Sequence, residues 1–556
     1  MKQPHPLLSW GGPPQATNRI SREYRWWALA VVMVVMFTAS LTSTIVSTAV
    51  PTIVADLHGF DLYGWVFSGY MLASTVSVPL FGQLSDVYGR RPLYLVGIAF
   101  FVVGSILGGL APSMVWLIGA RVVAGIGGGA MMALATATIG DIFSPRERGR
   151  WMGLVMSVFG LASIIGPTLG GAVTDHLGWR WVLLLPVPVA VVAWLVAGAV
   201  MPRVTTGKER RLDPIGSVLM VSGLVSLLLG FTWGGTTYAW GSGQEVSVFA
   251  IGGALLATFV WHEQRAPEPL LPPSFFRQRV FALSVVISFL VVGSMYGALS
   301  FIPLFVQGVI GKTAQNSGLV LSPMMLSFVV GSVVAGQIVS RTGRYKLQAI
   351  VGMTLMVTGF FLFTRLSTSS GSGEVVRDMV VLGIGIGVAM PIFSVTVQSV
   401  FPHSLLGTVN SARQLFSNLG GAIAVPVMTA VVVNTFQRDL VTRLPSAARP
   451  LVTGKNVQPQ SLLTAEAQHS VRRHFAADPL VYQRFVHGIR GALASGIVDV
   501  FTIGLGLASL ALLLVTFMPR IELAHWDAPR QTTAEPTPEL GEAAASVALA
   551  APAQRD

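Results

Sequence analysis

Two charged residues stand four apart in the stretch GQLSDVYGRRP: Asp86 and Arg90, flanked by Gly82, Gly89 and Arg91. That spacing puts an acid and a base on neighbouring turns of a helix, where they can form an ion pair. The other ionisable groups with chemical potential lie inside apolar sequence. Arg121 stands about two turns into a run that begins at Met114, and an arginine at that depth costs at least a few kcal/mol unless it is partnered or faces water. It either handles charge there or ties helices together through backbone carbonyls. Asp499 lies about 17 Å along the last run by helical rise, deep enough for a carboxyl that binds and releases a proton; a structural role is an equal reading. Asp56 and Asp175, at run ends, read as solvated acids. Glu374, Arg377 and Asp378 read as the charged start of a helix.

Nothing in this set suits covalent or metal catalysis. There is no cysteine, and most of the nine histidines lie in loops or near run ends. No G-x-x-x-x-G-K-[ST] phosphate loop occurs. The expectation is a non-enzyme with no cofactor and no metal.

The elements that position these groups follow from composition. Of 556 residues, 52% are hydrophobic and only 11% charged, against about 25% charged in an ordinary soluble domain. Fourteen apolar runs, from 27–50 to 489–517, have the length of about 20 residues that a bilayer crossing needs. The predicted class is therefore an all-α membrane protein with fourteen transmembrane helices. The net charge of +12 does not indicate nucleic-acid binding, because the basic residues sit in short loops and form no stripe. Those loops are the ones after even-numbered runs, with Arg90, Arg91, Arg146, Arg148, Arg150, Arg341 and Arg344 among them. Positive loops stay in the cytoplasm, so both termini are expected there. The stretch before Trp26 lacks the features of a signal peptide, and the first run is expected to remain as an anchor.

The chain repeats itself. GQIVSRTGRYK at Gly336 to Lys346 echoes GQLSDVYGRRP, and GIGIGVAM at Gly383 to Met390 echoes GIGGGAMM at Gly125 to Met132. Runs one to six and nine to fourteen are thus related halves with two runs inserted between them. Paired six-helix halves are how many secondary transporters frame a central site. The expected organisation is a cytoplasmic segment 1–26, a six-helix bundle 27–200, two linker helices in 201–280, a second bundle 281–518 carrying an external loop 436–488, and a disordered tail 519–556. The stretch AEAQHSVRRHF in that loop is expected to form a surface helix.

At these residues the chain resembles the major facilitator superfamily, in its fourteen-helix drug:proton antiporter branch. Gly82, Leu84, Asp86, Gly89, Arg90 and Arg91 match the signature G-x-L-x-D-x-x-G-R-[RK]; Arg121, Gly125, Gly127 and Gly129 are similar to an Arg-then-glycines motif; GLASIIGPTLGG resembles the antiporter signature through Gly160, Gly166, Pro167, Gly170 and Gly171. The resemblance implies a cytoplasmic latch, with Asp86 capping the helix that starts near Thr408 and Arg90 pairing with Asp141. The second copy carries Ser340 where Asp86 stands, so one strong latch is expected. The resemblance also implies a proton-handling role for Arg121 and close packing of the halves by the glycines of the fifth helix. The sequence departs from that family at LTSTIV, where Thr42 replaces an acid, and between Ala412 and Asn434, which hold no carboxylate.

The substrate is expected to be a hydrophobic or amphiphilic small molecule, exported in exchange for protons. Soft and aromatic side chains at Met36, Trp65, Tyr70, Tyr296 and Met325 suit an adaptable pocket, with Thr42, Gln307 and Asn418 as polar contacts. Export of a lipid, siderophore or endogenous metabolite by the same fold, with or without proton coupling, is the alternative. The remaining expectations are a monomer in the bilayer of a bacterial cytoplasmic membrane, with no nucleic-acid partner.

Overall fold

The computed structural model describes residues 22–59, 62–143, 145–201, 213–235, 237–266, 269–342, 345–401, 405–444 and 479–519. The expected surface helix at 465–475, the N-terminal segment through 21 and the tail from 520 lie outside the described residues. Among the described residues, fourteen long helices carry the fold, built from the apolar runs: α1 (Arg22–Leu57), α2 (Tyr63–Tyr88), α3 (Arg90–Gly109), α4 (Met114–Ile142) and α5 (Pro145–Leu177). Then come α6 (Trp179–Val200), interrupted at Leu185 before Pro186, α7 (Pro214–Trp233), α8 (Gly243–Glu263) and α9 (Arg279–Val309). The last five are α10 (Ala314–Thr342), α11 (Tyr345–Phe363), α12 (Ser372–Gln398), α13 (Leu406–Arg443) and α14 (Pro479–Thr516). Among the described residues, 13 of them are long and apolar enough to cross a membrane, and α5 packs in the same bundle between α1 and α10.

Local chemistry sets the boundaries. Gly89 ends α2 and opens α3 at φ 87° and ψ 160°, and Gly178 separates α5 from α6 at φ 91° and ψ 156°. Side chains are essentially barred from that region, so only glycine makes these tight breaks. Ser113 caps α4 through the N–H of Trp116, and Asp213 caps α7 through the N–H of Gly216, each satisfying a donor with no intrahelical partner. Asp213 also meets Nε2 of His262 at 2.9 Å, joining the ends of α7 and α8.

The packing repeats with the sequence. The pairs α2–α4, α3–α4 and α1–α5 recur as α10–α12, α11–α12 and α9–α13. Between the two sets run two seams, α5 against α10 and α2 against α13, and exchanging the sets converts one seam into the other. Between the two sets in the chain, α7 and α8 pack mainly on each other, with α7 also touching α2 and α13.

Candidate functional site

Two faces of the bundle are named here by their loops: the odd face carries the turns after odd-numbered helices, the even face those after even-numbered ones. At the odd face the two seams close in matching ways. A Cβ built on Gly318 of α10 would lie 2.2 Å from the carbonyl oxygen of Pro167 on α5, and one on Gly64 of α2 would lie 3.2 Å from Cα of Pro426 on α13. Each seam thus sets a glycine of one half against a proline of the other. Close backbone approach of this kind is what small residues allow between membrane helices.

Polar contacts reinforce the closure. The hydroxyls of Thr168 on α5 and Ser322 on α10 lie 2.5 Å apart. The hydroxyl of Tyr63 donates to the carbonyl of Ser300 at 2.6 Å, and its ring stacks on Phe301. Gln307, within the π-helical turn Phe305–Val309 that ends α9, donates to the Thr48 carbonyl of α1 and to Ser317 Oγ, both at 2.9 Å. Such turns interrupt the regular ladder and often mark functional positions.

Asp175 is exposed, as the sequence suggested, but it is not merely solvated. Its carboxylate accepts from the backbone N–H groups of Ala314 and Gln315, the first turn of α10 in the other half. Asp56 accepts from Trp179 Nε1 at 2.9 Å and from Arg180 at 3.2 Å. Asp378 differs from the reading as a charged helix start: it is 1% exposed, with one oxygen held by Arg377 and the other buried without a partner.

Arg121 is 3% exposed. Its Nε donates to the Val66 carbonyl at 3.3 Å and its guanidinium lies 4.4 Å from the ring centre of Tyr70. The contact is possible because α2 and α4 touch through glycine: a Cβ on Gly125 would lie 2.5 Å from the Tyr70 carbonyl oxygen, and one on Gly128 would lie 2.3 Å from the Tyr70 hydroxyl. At the next residue of α2, Met71 meets Tyr296 of α9 and Gly421 of α13 at a single point where the seam crosses the bundle. The structure therefore brings Tyr70, Arg121 and Tyr296 into one region, while Gln307 sits at the odd-face closure.

Other expected residues fall elsewhere. Met36 lies in the apolar core of the first half with Phe81 and Leu134, and Met325 packs in the large core cluster dominated by the second half. Thr42 is buried and donates to the carbonyl of Thr38 on its own helix. Trp65 is half-buried on α2. Asp499 accepts from Thr435 of α13 at 2.8 Å, between α13 and α14 and not beside Arg121. Asn418 accepts from Gln414. Arg90 donates to Ser85 Oγ and Arg91 to the Gly198 carbonyl of α6; the side chains of Asp86 and Asp141 lie outside the described residues. Of the α5 motif, Gly166 and Gly170 face Thr44 and Ile45 of α1, whereas Gly160 and Gly171 face Val329 and Ala314 of α10.

The sequence reading passed over Arg413 of α13, which is 8% exposed. A signal was present: an arginine inside an apolar run, three residues after Asn410 and four before Ser417.

A multi-pass helical membrane protein whose related halves meet along two interchangeable seams has the build of a secondary transporter. The chain belongs to the Major Facilitator Superfamily, whose family profile matches residues 32–425. It is 38% identical over 401 residues to the multidrug transporter protein MdtP of Bacillus subtilis, covering 72% of this chain and 74% of that one. It is 32% identical over 402 residues to multidrug resistance protein 3 of the same organism, covering 72% and 78%. Among solved structures, a bacterial homologue of the human lysosomal transporter Spinster shares the fold at a TM-score of 0.61 and 15% identity, covering 90% of this chain and 99% of that one. The helix number agrees with the fourteen-helix branch, and these relatives are transporters, not enzymes.

Proposed function

We propose that this protein is a secondary active exporter of amphiphilic or hydrophobic small molecules, working by alternating access and exchanging its substrate for protons. The observation that carries the reading is the pair of matching seams, Gly318 at Pro167 and Gly64 at Pro426. Two related bundles joined at such seams can rock about them, closing one face while the other opens. The similarity to multidrug transporters supports the direction and the substrate class. In this reading the odd face is external and closed, both termini are cytoplasmic, the membrane is the bacterial cytoplasmic membrane, and the chain works as a monomer. The bundles are 27–200 and 281–518, with 201–280 as an inserted pair. Asp86 and Arg90 form the cytoplasmic latch, and Arg121 handles the coupling charge.

A second reading drops the proton. Thr42 bonds to its own helix and Asp499 to Thr435, so neither supplies a free carboxyl beside Arg121, which favours transport without coupling, of a lipid, siderophore or endogenous metabolite.

Inside-out vesicles loaded with the protein separate the two. An imposed pH gradient, acid inside, is expected to drive accumulation of a fluorescent amphiphile, with loss in Arg121→Ala. Accumulation that ignores the gradient sinks proton exchange and leaves the second reading; no movement of any amphiphile sinks export.

A further inference from the structure

The polar residues of α13 fall on one stripe. Asn410, Arg413, Gln414, Ser417, Asn418 and Gly421 succeed one another at the threes and fours that keep a helical face aligned. The stripe ends where Gly421 meets Met71 and Tyr296, one residue along α2 from the Tyr70 that carries Arg121. The other sides of α13 are apolar: Leu415, Leu419 and Ala422 pack with α2 and α7, and Val409 and Ala412 pack with Phe281 and Val397. A polar stripe on a spanning helix belongs on the protein interior or on a water-filled path, because lipid offers it nothing.

Within that stripe the guanidinium of Arg413 is the group left over. Gln414 donates to Asn418 at 2.8 Å and Ser417 donates to the Arg413 carbonyl at 2.9 Å, so these neighbours satisfy one another. Among the described residues, nothing bonds to the Arg413 side chain, and its Nε is buried without a partner. The stretch from Leu406 to Gln437 contains no acid. Among the described residues no acid bonds to that guanidinium; a buried cation so placed is costly to hold, and an anion arriving there gains charge-assisted hydrogen bonds in a poorly screened site. Arg121 does not compete for that anion on equal terms, since Tyr70 and the Val66 carbonyl already engage it.

We infer that the molecule carried by this protein bears a negative charge on an apolar body, and that Arg413 holds its anionic group. The guanidinium fork takes two oxygens of a carboxylate or sulfonate at once. The apolar body then lies toward Met71 and Tyr296, at the end of the stripe. This rests on the reading of the protein as an exporter of amphiphiles, and it narrows that class to anions.

Two dyes that share one aromatic body test it: 8-anilino-1-naphthalenesulfonate, and N-phenyl-1-naphthylamine, which lacks the sulfonate. Binding to the purified protein in lipid nanodiscs, with empty nanodiscs subtracted, is expected to favour the sulfonate by about tenfold, the scale of a charge-assisted bond. Arg413→Gln is expected to bring that ratio near one, and Arg413→Lys to keep part of it. Equal binding of the two dyes by the wild type overturns the inference, as does a ratio that survives Arg413→Gln or a cation such as ethidium binding more tightly than the sulfonate. Should Arg413→Gln not assemble, the wild-type ranking of the three dyes and the Arg413→Lys ratio still decide. Binding is read apart from vesicle transport, so sulfonate binding without movement counts against export and leaves the anion site standing.

Discussion

The carboxylate of Asp175 on α5 accepts a hydrogen bond of 2.7 Å from the backbone N–H of Gln315 on α10. Its second oxygen takes the N–H of Ala314 at 3.2 Å. An acid at a helix N-terminus satisfies donors that have no intrahelical partner and offsets the helix dipole. Here the helix belongs to the other half, so the contact must break whenever the odd face opens. Losing a cap of this kind costs about 0.5–2 kcal/mol. Asp175→Ala is therefore expected to shift the equilibrium toward an open odd face, with Asp175→Asn intermediate. Spin labels at Leu110 and Ser369, in the odd-face turns after α3 and α11, read the change as a longer distance component. An unchanged distribution in Asp175→Ala would remove the acid from the closure.

The hydroxyls of Thr168 and Ser322 touch across the same seam, and the chain has no cysteine of its own. Replacing both with cysteine is expected to give a disulfide under mild oxidation that locks the odd face. Transport stops on oxidation and returns on reduction, while either single variant is indifferent to both. Full transport by the oxidised pair would mean that α5 and α10 need not separate.

Much of this architecture is legible in the sequence, for a physical reason. Lipid demands an apolar run for each crossing, and the recurring turn at Gly82 to Pro92 and Gly336 to Lys346 matches the recurrence of helix pairs in the packing. The same repeat carries Gly64 onto Gly318, so the two seams share one sequence signal. What the sequence hides is partnership over distance. Asp175 looks like any acid at a run end, because its donors lie well over 100 residues away in the chain. Asp378 looks like part of a charged helix start, because burial depends on how α12 turns against its neighbours. Arg413 was visible as an arginine in an apolar run, but only the stripe it shares with Asn410 and Ser417 distinguishes it from a residue at a run boundary.

Arg121 and Tyr70 give a separable prediction. A cation over an aromatic face is worth up to about 2 kcal/mol when desolvated, and that attraction belongs to the ring and not to the hydroxyl. Tyr70→Phe is expected to keep most transport, whereas Tyr70→Ala and Arg121→Met each lose about tenfold or more. Arg121→Lys keeps the charge but lacks the planar face that stacks, and should fall between. Initial rates of dye accumulation in inside-out vesicles, scaled to the amount of protein, make the comparison. A Tyr70→Phe variant as impaired as Tyr70→Ala would assign the work to the hydroxyl.

Two adjacent glycines of α5 point at different partners, which separates folding from gating. A Cβ on Gly170 would lie 2.2 Å from the Ile45 carbonyl oxygen of α1, inside one half; a Cβ on Gly171 would lie 2.3 Å from the Ala314 carbonyl oxygen of α10, across the seam. Neither backbone can yield without shifting a helix, and overpacking of this kind costs about 1–3 kcal/mol. The α1–α5 contact lies within one bundle and persists as the bundles rock, so Gly170→Ala is expected to lower the thermal unfolding temperature with little change in which face is open. Gly171→Ala is strained only while the odd face is shut. In the Thr168→Cys, Ser322→Cys background it is expected to cut disulfide yield severalfold, with Gly170→Ala leaving the yield near its parent. Equal yields in the two variants would mean that the glycine at 171 serves packing alone.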